Sequence, residues 1–151
     1  MKQFLSWCVA IWVALHVTGC AAGSPSGSIG DSSGTYVLMG RYSDDNLYQP
    51  RLYRLPSSCA GRTVELRAVY RTEGVSEGTK SYHGIHFDYE VFAARGVPVY
   101  PSDWKAEPSS DWQVIVRSWD IPADMRSGHV RIGLQGVDGR LYVRQISVTG
   151  C

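Results

Sequence analysis

Apolar and polar residues alternate with a period of two in several stretches of this sequence, and this period constrains the fold more than any other feature. The clearest stretches are residues 63–71, Gly84–Phe92 and residues 130–135. Successive side chains of a strand point to opposite faces, so each stretch predicts a strand with one apolar face. No stretch shows the 3.6-residue period of an amphipathic helix. The sequence therefore predicts an all-β domain of packed antiparallel sheets.

Shorter strand signals and turns complete this pattern. Further strands are predicted at residues 36–39, 51–55, 112–121 and 142–148. Asp138-Gly139 separates the last two strands, and both residue types tolerate a positive φ, so the pair predicts a closing hairpin. Residues 96–109 are Pro-rich and predict a loop. The expected architecture is a β-sandwich that ends in this hairpin.

Residues 1–19 have the composition of an export signal. Lys2 is the only Lys, Arg, Asp or Glu among them, and residues 4–17 form an apolar run that only Ser6 and His16 interrupt. A membrane span needs about 20 apolar residues, so the run fits the hydrophobic part of a secretory signal instead.

The end of this segment carries a modification motif. Val17-Thr18-Gly19-Cys20 resembles the lipobox of bacterial lipoproteins, in which an aliphatic residue, a small residue and Gly precede the Cys. The resemblance implies cleavage before Cys20, a lipid on its sulfur and attachment to a membrane. Ala21 follows, and because no Asp stands there we expect sorting to the outer membrane rather than the inner membrane. The alternative is an ordinary signal peptide with a chance Cys.

Composition divides the mature chain into two parts. Residues 20–34 are mostly Gly, Ser, Ala and Pro and predict a flexible tether that reaches roughly 20 Å, which leaves residues 35–151 as one domain. Without Lys2 the 15 basic residues become 14, which equals the 14 acidic ones. This balance disfavours nucleic acid as a partner. We expect a monomer.

The remaining cysteines suggest a disulfide. Cys59 lies just before the predicted strand 63–71, and Cys151 lies just after the last strand. If these strands pair antiparallel, the start of one lies beside the end of the other. In the oxidising compartment that an export signal implies, the two thiols would then form a bridge worth on the order of 4 kcal/mol. Two free buried thiols are the alternative.

The order of these features resembles the bacterial jelly-roll β-sandwich modules of the galactose-binding-like type. The segments that carry the resemblance are residues 64–74, Gly84–Phe92, 112–122, 130–139 and 142–148. Such modules typically bind carbohydrate, which implies a glycan as the partner here. Arg144-Gln145 stand where the family's last strand usually carries an Asp, so we expect no calcium and no other cofactor.

One face of the predicted sheet is polar and is a candidate binding surface. If Gly84–Phe92 and residues 129–137 share a sheet, their outward side chains meet, and loop aromatics flank them. Polar side chains on a rigid sheet suit sugar hydroxyls, and aromatic rings stack on the apolar faces of sugars. The candidate ligand-binding residues are His86, Asp88, Glu90, Arg131, Gln135, Tyr82, Tyr100 and Trp104. The alternative is a solvated face with exposed loop aromatics.

Two other chemistries are disfavoured. His83, His86 and Asp88 are too few for a closed metal site with its supporting hydrogen bonds. Asp88 and Glu90 would project in parallel from one strand, whereas a glycosidase needs two carboxylates on opposite sides of a bond. We therefore expect a non-catalytic, carbohydrate-binding lipoprotein. The alternative is a structural or protein-binding envelope lipoprotein that uses the sandwich as a scaffold.

Overall fold

The computed structural model describes residues 30–32, 34–42, 45–47 and 49–151. The predicted signal, Cys20 and most of the predicted tether lie outside these residues. Within them, no helix has the length and apolar character that crossing a bilayer would require.

The described chain is almost entirely β-structure, as predicted, and forms two antiparallel five-stranded sheets. The strands are β1 (Gly30–Ser32), β2 (Tyr36–Gly40), β3 (Arg51–Arg54), β4 (Thr63–Glu73), β5 (Gly84–Phe92), β6 (Pro98–Val99), β7 (Lys105–Ala106), β8 (Gln113–Asp120), β9 (Ser127–Gln135) and β10 (Gly139–Thr149). In the back sheet β10 and β4 are central, with β8 beside β4 and with β1 and β2 beside β10. In the front sheet β9 and β5 are central, with β3 beside β9 and with β6 and β7 beside β5.

The core lies between the two sheets and follows the alternation in the sequence. Leu66 of β4 and Leu141 of β10 face Phe87 of β5 and Ile132 of β9, and all four side chains are fully buried. The rings of Tyr70 and Phe87 meet across the core with their centroids 5.1 Å apart. Burying a large apolar side chain contributes about 1.5–3 kcal/mol, so these inward positions hold the two sheets together.

The predicted closing hairpin at Asp138-Gly139 is wrong. β9 pairs with β5 and β3, whereas β10 pairs with β4, β1 and β2, so the turn carries the chain from the front sheet to the back sheet. The loop at Ser76 holds this turn, because the Asp138 amide donates to the Ser76 hydroxyl. β9 and β10 each have partners on both edges and have no free edge on which to pair with each other.

Two predicted loop boundaries also change. Gly30–Ser32 pairs with β10 in the register Gly30↔Val148, so the described end of the predicted tether is part of the back sheet. The predicted loop 96–109 contains β6 and β7, which pair with opposite halves of β5.

The disulfide between Cys59 and Cys151 is formed, as predicted. The register Glu65↔Thr149 brings the start of β4 beside the end of β10. Cys59 ends the short 3-10 helix Ser57–Cys59 just before β4, and the two Cα atoms are 4.8 Å apart. The bridge joins the two central strands of the back sheet at their shared end.

Candidate functional site

The front sheet carries a cleft of about 370 Å³ on its outer face. All eight candidate binding residues from the sequence line it, together with three that the sequence did not indicate. The lining residues are Asn46, Leu47, Tyr82, His86, Asp88, Glu90, Tyr100, Pro101, Trp104, Arg131 and Gln135.

An ion pair between the two central strands forms the floor of the cleft. Asp88 of β5 lies opposite Arg131 of β9 in the antiparallel register. The Arg131 guanidinium donates two hydrogen bonds, from Nε to Oδ1 at 2.9 Å and from Nη2 to Oδ2 at 2.7 Å. Asp88 is only 1% exposed, so these hydrogen bonds replace the contacts with water that its burial removes. Burial acts to lower the pKa of Arg131, but Asp88 and Glu90 outweigh it and raise that pKa above its ordinary value.

His86 lies on the same floor, where contacts to both ring nitrogens and to one ring face fix its side chain. Its Nδ1 lies 2.9 Å from Oδ2 of Asp88, and its Nε2 lies 3.0 Å from the Tyr82 carbonyl oxygen. Acceptors face both ring nitrogens, so both donate when the ring is an imidazolium. The Trp104 ring stacks on the imidazole, with centroids 4.3 Å apart and planes 20° apart. His86 therefore fixes Asp88 and Trp104 and has no nitrogen left to coordinate a metal.

Glu90 holds the next position along β5 and links the floor to one wall. The Tyr100 hydroxyl donates to Oε1 of Glu90 at 2.6 Å, and Nε2 of His129 lies 3.3 Å from Oε2. Burial and the hydrogen bond to Glu90 both raise the pKa of Tyr100. The Arg131 guanidinium carbon lies 4.9 Å from the centre of the Tyr100 ring. Tyr100 is thus oriented by two contacts while 47% of it stays exposed.

The opposite wall is built from the segment that precedes β3. The Gln135 amide donates to the Asp45 carbonyl oxygen, which draws residues 45–47 against the front sheet. The Asp45 carboxylate contacts Nζ of Lys80 at 2.5 Å and Nε2 of His83 at 3.2 Å, and these two hydrogen bonds lower its pKa. Gln135 therefore holds the wall with its amide nitrogen and leaves its side-chain oxygen for other partners.

The sequence predicted the floor of this cleft and the three aromatic residues beside it, but not the rest of its walls. Asn46, Leu47 and Pro101 reach the cleft through loop conformations that no periodic pattern encodes. His129 shares its strand face with Arg131 and supports Glu90, so the alternation in β9 could have indicated it.

The described groups restrict the chemistry that the cleft can support. Among the described lining residues, Asp88 and Glu90 are the only carboxylates, and both lie on the same face of β5. No three His, Cys, Asp or Glu side chains converge on a possible metal position within the described parts of the chain. What the cleft offers is a polar floor held by internal hydrogen bonds, with aromatic rings and residues 45–47 around it.

No family model matches this sequence, and no curated protein matches it either. Comparison with solved structures shows the fold: the chain is a β-sandwich similar to those of carbohydrate-binding modules.

Two similar structures are modules of family 22. The CBM22-1 xylan-binding domain of Paenibacillus barcinonensis Xyn10C has a TM-score of 0.53 and 7% identity over 83% of this chain and 95% of that one. A xylan-binding domain from CBM 22 has a TM-score of 0.53 and 13% identity over 86% and 89%. A CBM4 structure has a TM-score of 0.52 and 10% identity over 87% and 81%. At such identities the likeness concerns the fold alone.

Proposed function

We propose that this protein is a non-catalytic glycan-binding lipoprotein of the bacterial envelope and that the front-sheet cleft is its binding site. The observation that carries the proposal is the cleft itself, in which aromatic rings lie beside a polar floor that internal hydrogen bonds hold in place. Two of the solved structures with this fold are named for xylan binding, which supports a glycan as the ligand class.

The arrangement suits sugars for a physical reason. Sugar rings present hydroxyls at fixed angles and apolar C–H faces, so they bind to oriented polar groups beside aromatic rings. Tyr82 and Tyr100 expose 41% and 47% of their surfaces, and Trp104 forms the wall above His86. Because the floor is already held by internal hydrogen bonds, a ligand need not order it on binding.

The charges of the floor favour an uncharged glycan. Arg131 lies between Asp88 and Glu90, and His129 lies against Glu90, so the cationic and anionic groups compensate each other locally. A glycan carboxylate or sulfate placed here would have to compete with Asp88 for Arg131. We expect neutral glycans to bind better than acidic ones of the same size.

Glycan binding is tested on the chain from residue 20 with Cys20→Ser, using a glycan array followed by calorimetry. Trp104→Ala should weaken binding about tenfold, because aromatic stacking contributes about 0.5–1.5 kcal/mol beyond the buried area. Trp112→Ala is the matched control, since Trp112 precedes β8 of the back sheet and is outside the cleft. Equal affinities for both variants would overturn the site, and no binding to any glycan on the array would favour the protein-binding scaffold instead.

Lipidation of Cys20 is the second part of the proposal and rests on the motif Val17-Thr18-Gly19-Cys20. A lipid on the sulfur supplies hydrophobic anchoring energy that a soluble domain lacks. We expect the wild-type chain to incorporate labelled palmitate and to fractionate with outer membranes in a Gram-negative host. The Cys20→Ser variant should do neither. Equal labelling of the two proteins would contradict the anchor.

A further inference from the structure

The outer face of the back sheet carries several exposed apolar side chains. Six aliphatic or aromatic side chains lie on it, and five of them are among the most exposed large hydrophobic residues of the described chain. These residues, which we call the back face, are Val37, Met39, Val69, Trp112, Val114 and Val116.

Strand pairing brings part of the back face together. Val69 of β4 lies opposite Val114 of β8 on one side and Arg144 of β10 on the other. Since partners in register share a face, Val69, Val114, Val116 and Trp112 form one apolar group. Val37 of β2 lies opposite Tyr142 of β10, which stands between this group and β2. Scattered single hydrophobic residues need no explanation, but a contiguous group marks an interaction site.

The same face carries several arginines. On the outward positions of β4, β8 and β10 the charged residues are four arginines and three acidic residues, namely Arg67, Arg71, Arg140, Arg144, Glu65, Glu73 and Asp120. Among the residues that the structure describes, only Arg140 of the four arginines has a carboxylate within ion-pair distance, Glu73 at 3.3 Å. The guanidinium carbon of Arg144 lies 4.0 Å from the Trp112 ring centre. That of Arg71 lies 4.0 Å from the Tyr142 ring centre.

The chain enters the fold at the edge of this sheet. Gly30 of β1 pairs with Val148 of β10, so the back sheet receives the segment that leads from Cys20. The intervening residues span at most about 35 Å when fully extended. If Cys20 carries the lipid proposed above, this edge of the back sheet lies within about 35 Å of the bilayer.

We propose that the back face binds the surface of a membrane that contains anionic phospholipid. Trp and aliphatic side chains suit the interfacial region of a bilayer, and arginines near an anionic surface add electrostatic attraction. Because the front sheet is the opposite layer of the sandwich, its cleft then points away from the membrane. The proposal rests in part on the lipid anchor proposed at Cys20, and it does not depend on glycan binding.

Vesicle binding tests the proposal on the Cys20→Ser chain from residue 20, which keeps every described strand and the disulfide. We expect sedimentation with vesicles of phosphatidylethanolamine and phosphatidylglycerol and much weaker sedimentation with phosphatidylcholine alone. Arg67→Gln/Arg144→Gln should lower partitioning about 25-fold, at roughly fivefold per arginine. Val114→Thr/Val116→Thr should lower it as well while conserving side-chain shape.

The matched control is Leu52→Thr/Arg54→Gln on β3, because these residues lie on the front sheet outside the cleft. This variant should bind vesicles like the wild type. No vesicle binding by the wild type, or equal losses for back-face and control variants, would overturn the proposal. Self-association through the valines without vesicle binding would identify a second copy as the occupant and also overturn it.

Quenching of tryptophan fluorescence by brominated lipids reports which face of the bound protein contacts the bilayer. Trp112 lies on the back face, Trp104 lines the cleft and Trp119 is buried. Quenching should persist in Trp104→Phe and disappear in Trp112→Phe. The reverse pattern would mean that the cleft side faces the lipid, which contradicts the proposed orientation.

Discussion

At the scale of single residues, Asp88 holds the front sheet's polar face together. It receives both hydrogen bonds from Arg131 and one from His86, although it is almost fully buried. Glu90 has a similar role one step along the strand, with Tyr100 and His129 as partners. The candidate binding residues therefore position one another as much as they face the cleft.

Removing Arg131 should destabilise the protein strongly. Arg131→Met leaves the buried Asp88 carboxylate without its guanidinium, which typically costs 3–5 kcal/mol in the free energy of unfolding. The double variant Asp88→Leu/Arg131→Met should cost less than the sum of the two single variants, because no unpaired charge remains. Urea unfolding of all four proteins measures this coupling. Additive effects would show that the pair is not energetically linked.

At the scale of elements, the turn between β9 and β10 decides the topology. Asp138 holds this turn with two hydrogen bonds: its backbone amide donates to the Ser76 hydroxyl, and its carboxylate accepts from the Tyr42 amide. Gly139 begins β10 with φ 127°, a conformation that side chains rarely adopt. The sequence Asp138-Gly139 predicted a turn. A turn alone does not decide whether the two strands that it joins pair in one sheet or belong to two different sheets.

Gly139→Ala should therefore destabilise the fold by more than backbone strain alone. A Cβ there would lie 2.7 Å from Val75 Cα and 2.8 Å from the Gly74 carbonyl oxygen. Gly74→Ala is the matched control, because Gly74 also has a positive φ but no neighbour within 4 Å of its Cβ position. We expect the control to lose about 1 kcal/mol in chemical denaturation and Gly139→Ala to lose clearly more. Equal losses of stability would mean that the Gly74-Val75 backbone moves aside without a measurable cost, which contradicts this prediction.

At the scale of the whole molecule, the two layers give the protein two different surfaces. The front sheet presents a charge-compensated cleft, whereas the back sheet presents apolar side chains beside arginines. The disulfide at the end of the back sheet closes a loop that includes most of both sheets, since its cysteines are 92 positions apart. It therefore constrains the unfolded chain as a whole.

Removing this disulfide should lower global stability without changing the site. In the chain-entropy model a loop of this length gives about 4–5 kcal/mol, and losing a native disulfide typically costs 2–5 kcal/mol. Guanidinium unfolding should show this decrease in the free energy of unfolding for Cys59→Ser/Cys151→Ser. The reduced wild-type protein should be destabilised to the same extent as this variant. Glycan affinity of the folded fraction should be unchanged. A variant as stable as the oxidised wild type would contradict this account.

The sequence alone was enough to predict the long strands and their two faces, and it indicated the disulfide that the structure contains. Alternation is a local property, so residues 63–71 and Gly84–Phe92 could be assigned an inward and an outward side before any contact was known. The same reasoning brought His86, Asp88, Glu90 and Arg131 onto one face, because β5 and β9 share a sheet.

Only the tertiary structure decided which strands pair and what covers the polar face. The crossing at Asp138, the entry of Gly30–Ser32 into the back sheet and the wall formed by residues 45–47 all depend on contacts between distant parts of the chain. Local sequence sets the direction of each side chain, whereas strand order follows from packing both apolar faces into one core. That packing is a property of the whole chain, and it set the cleft and the back face on opposite sides.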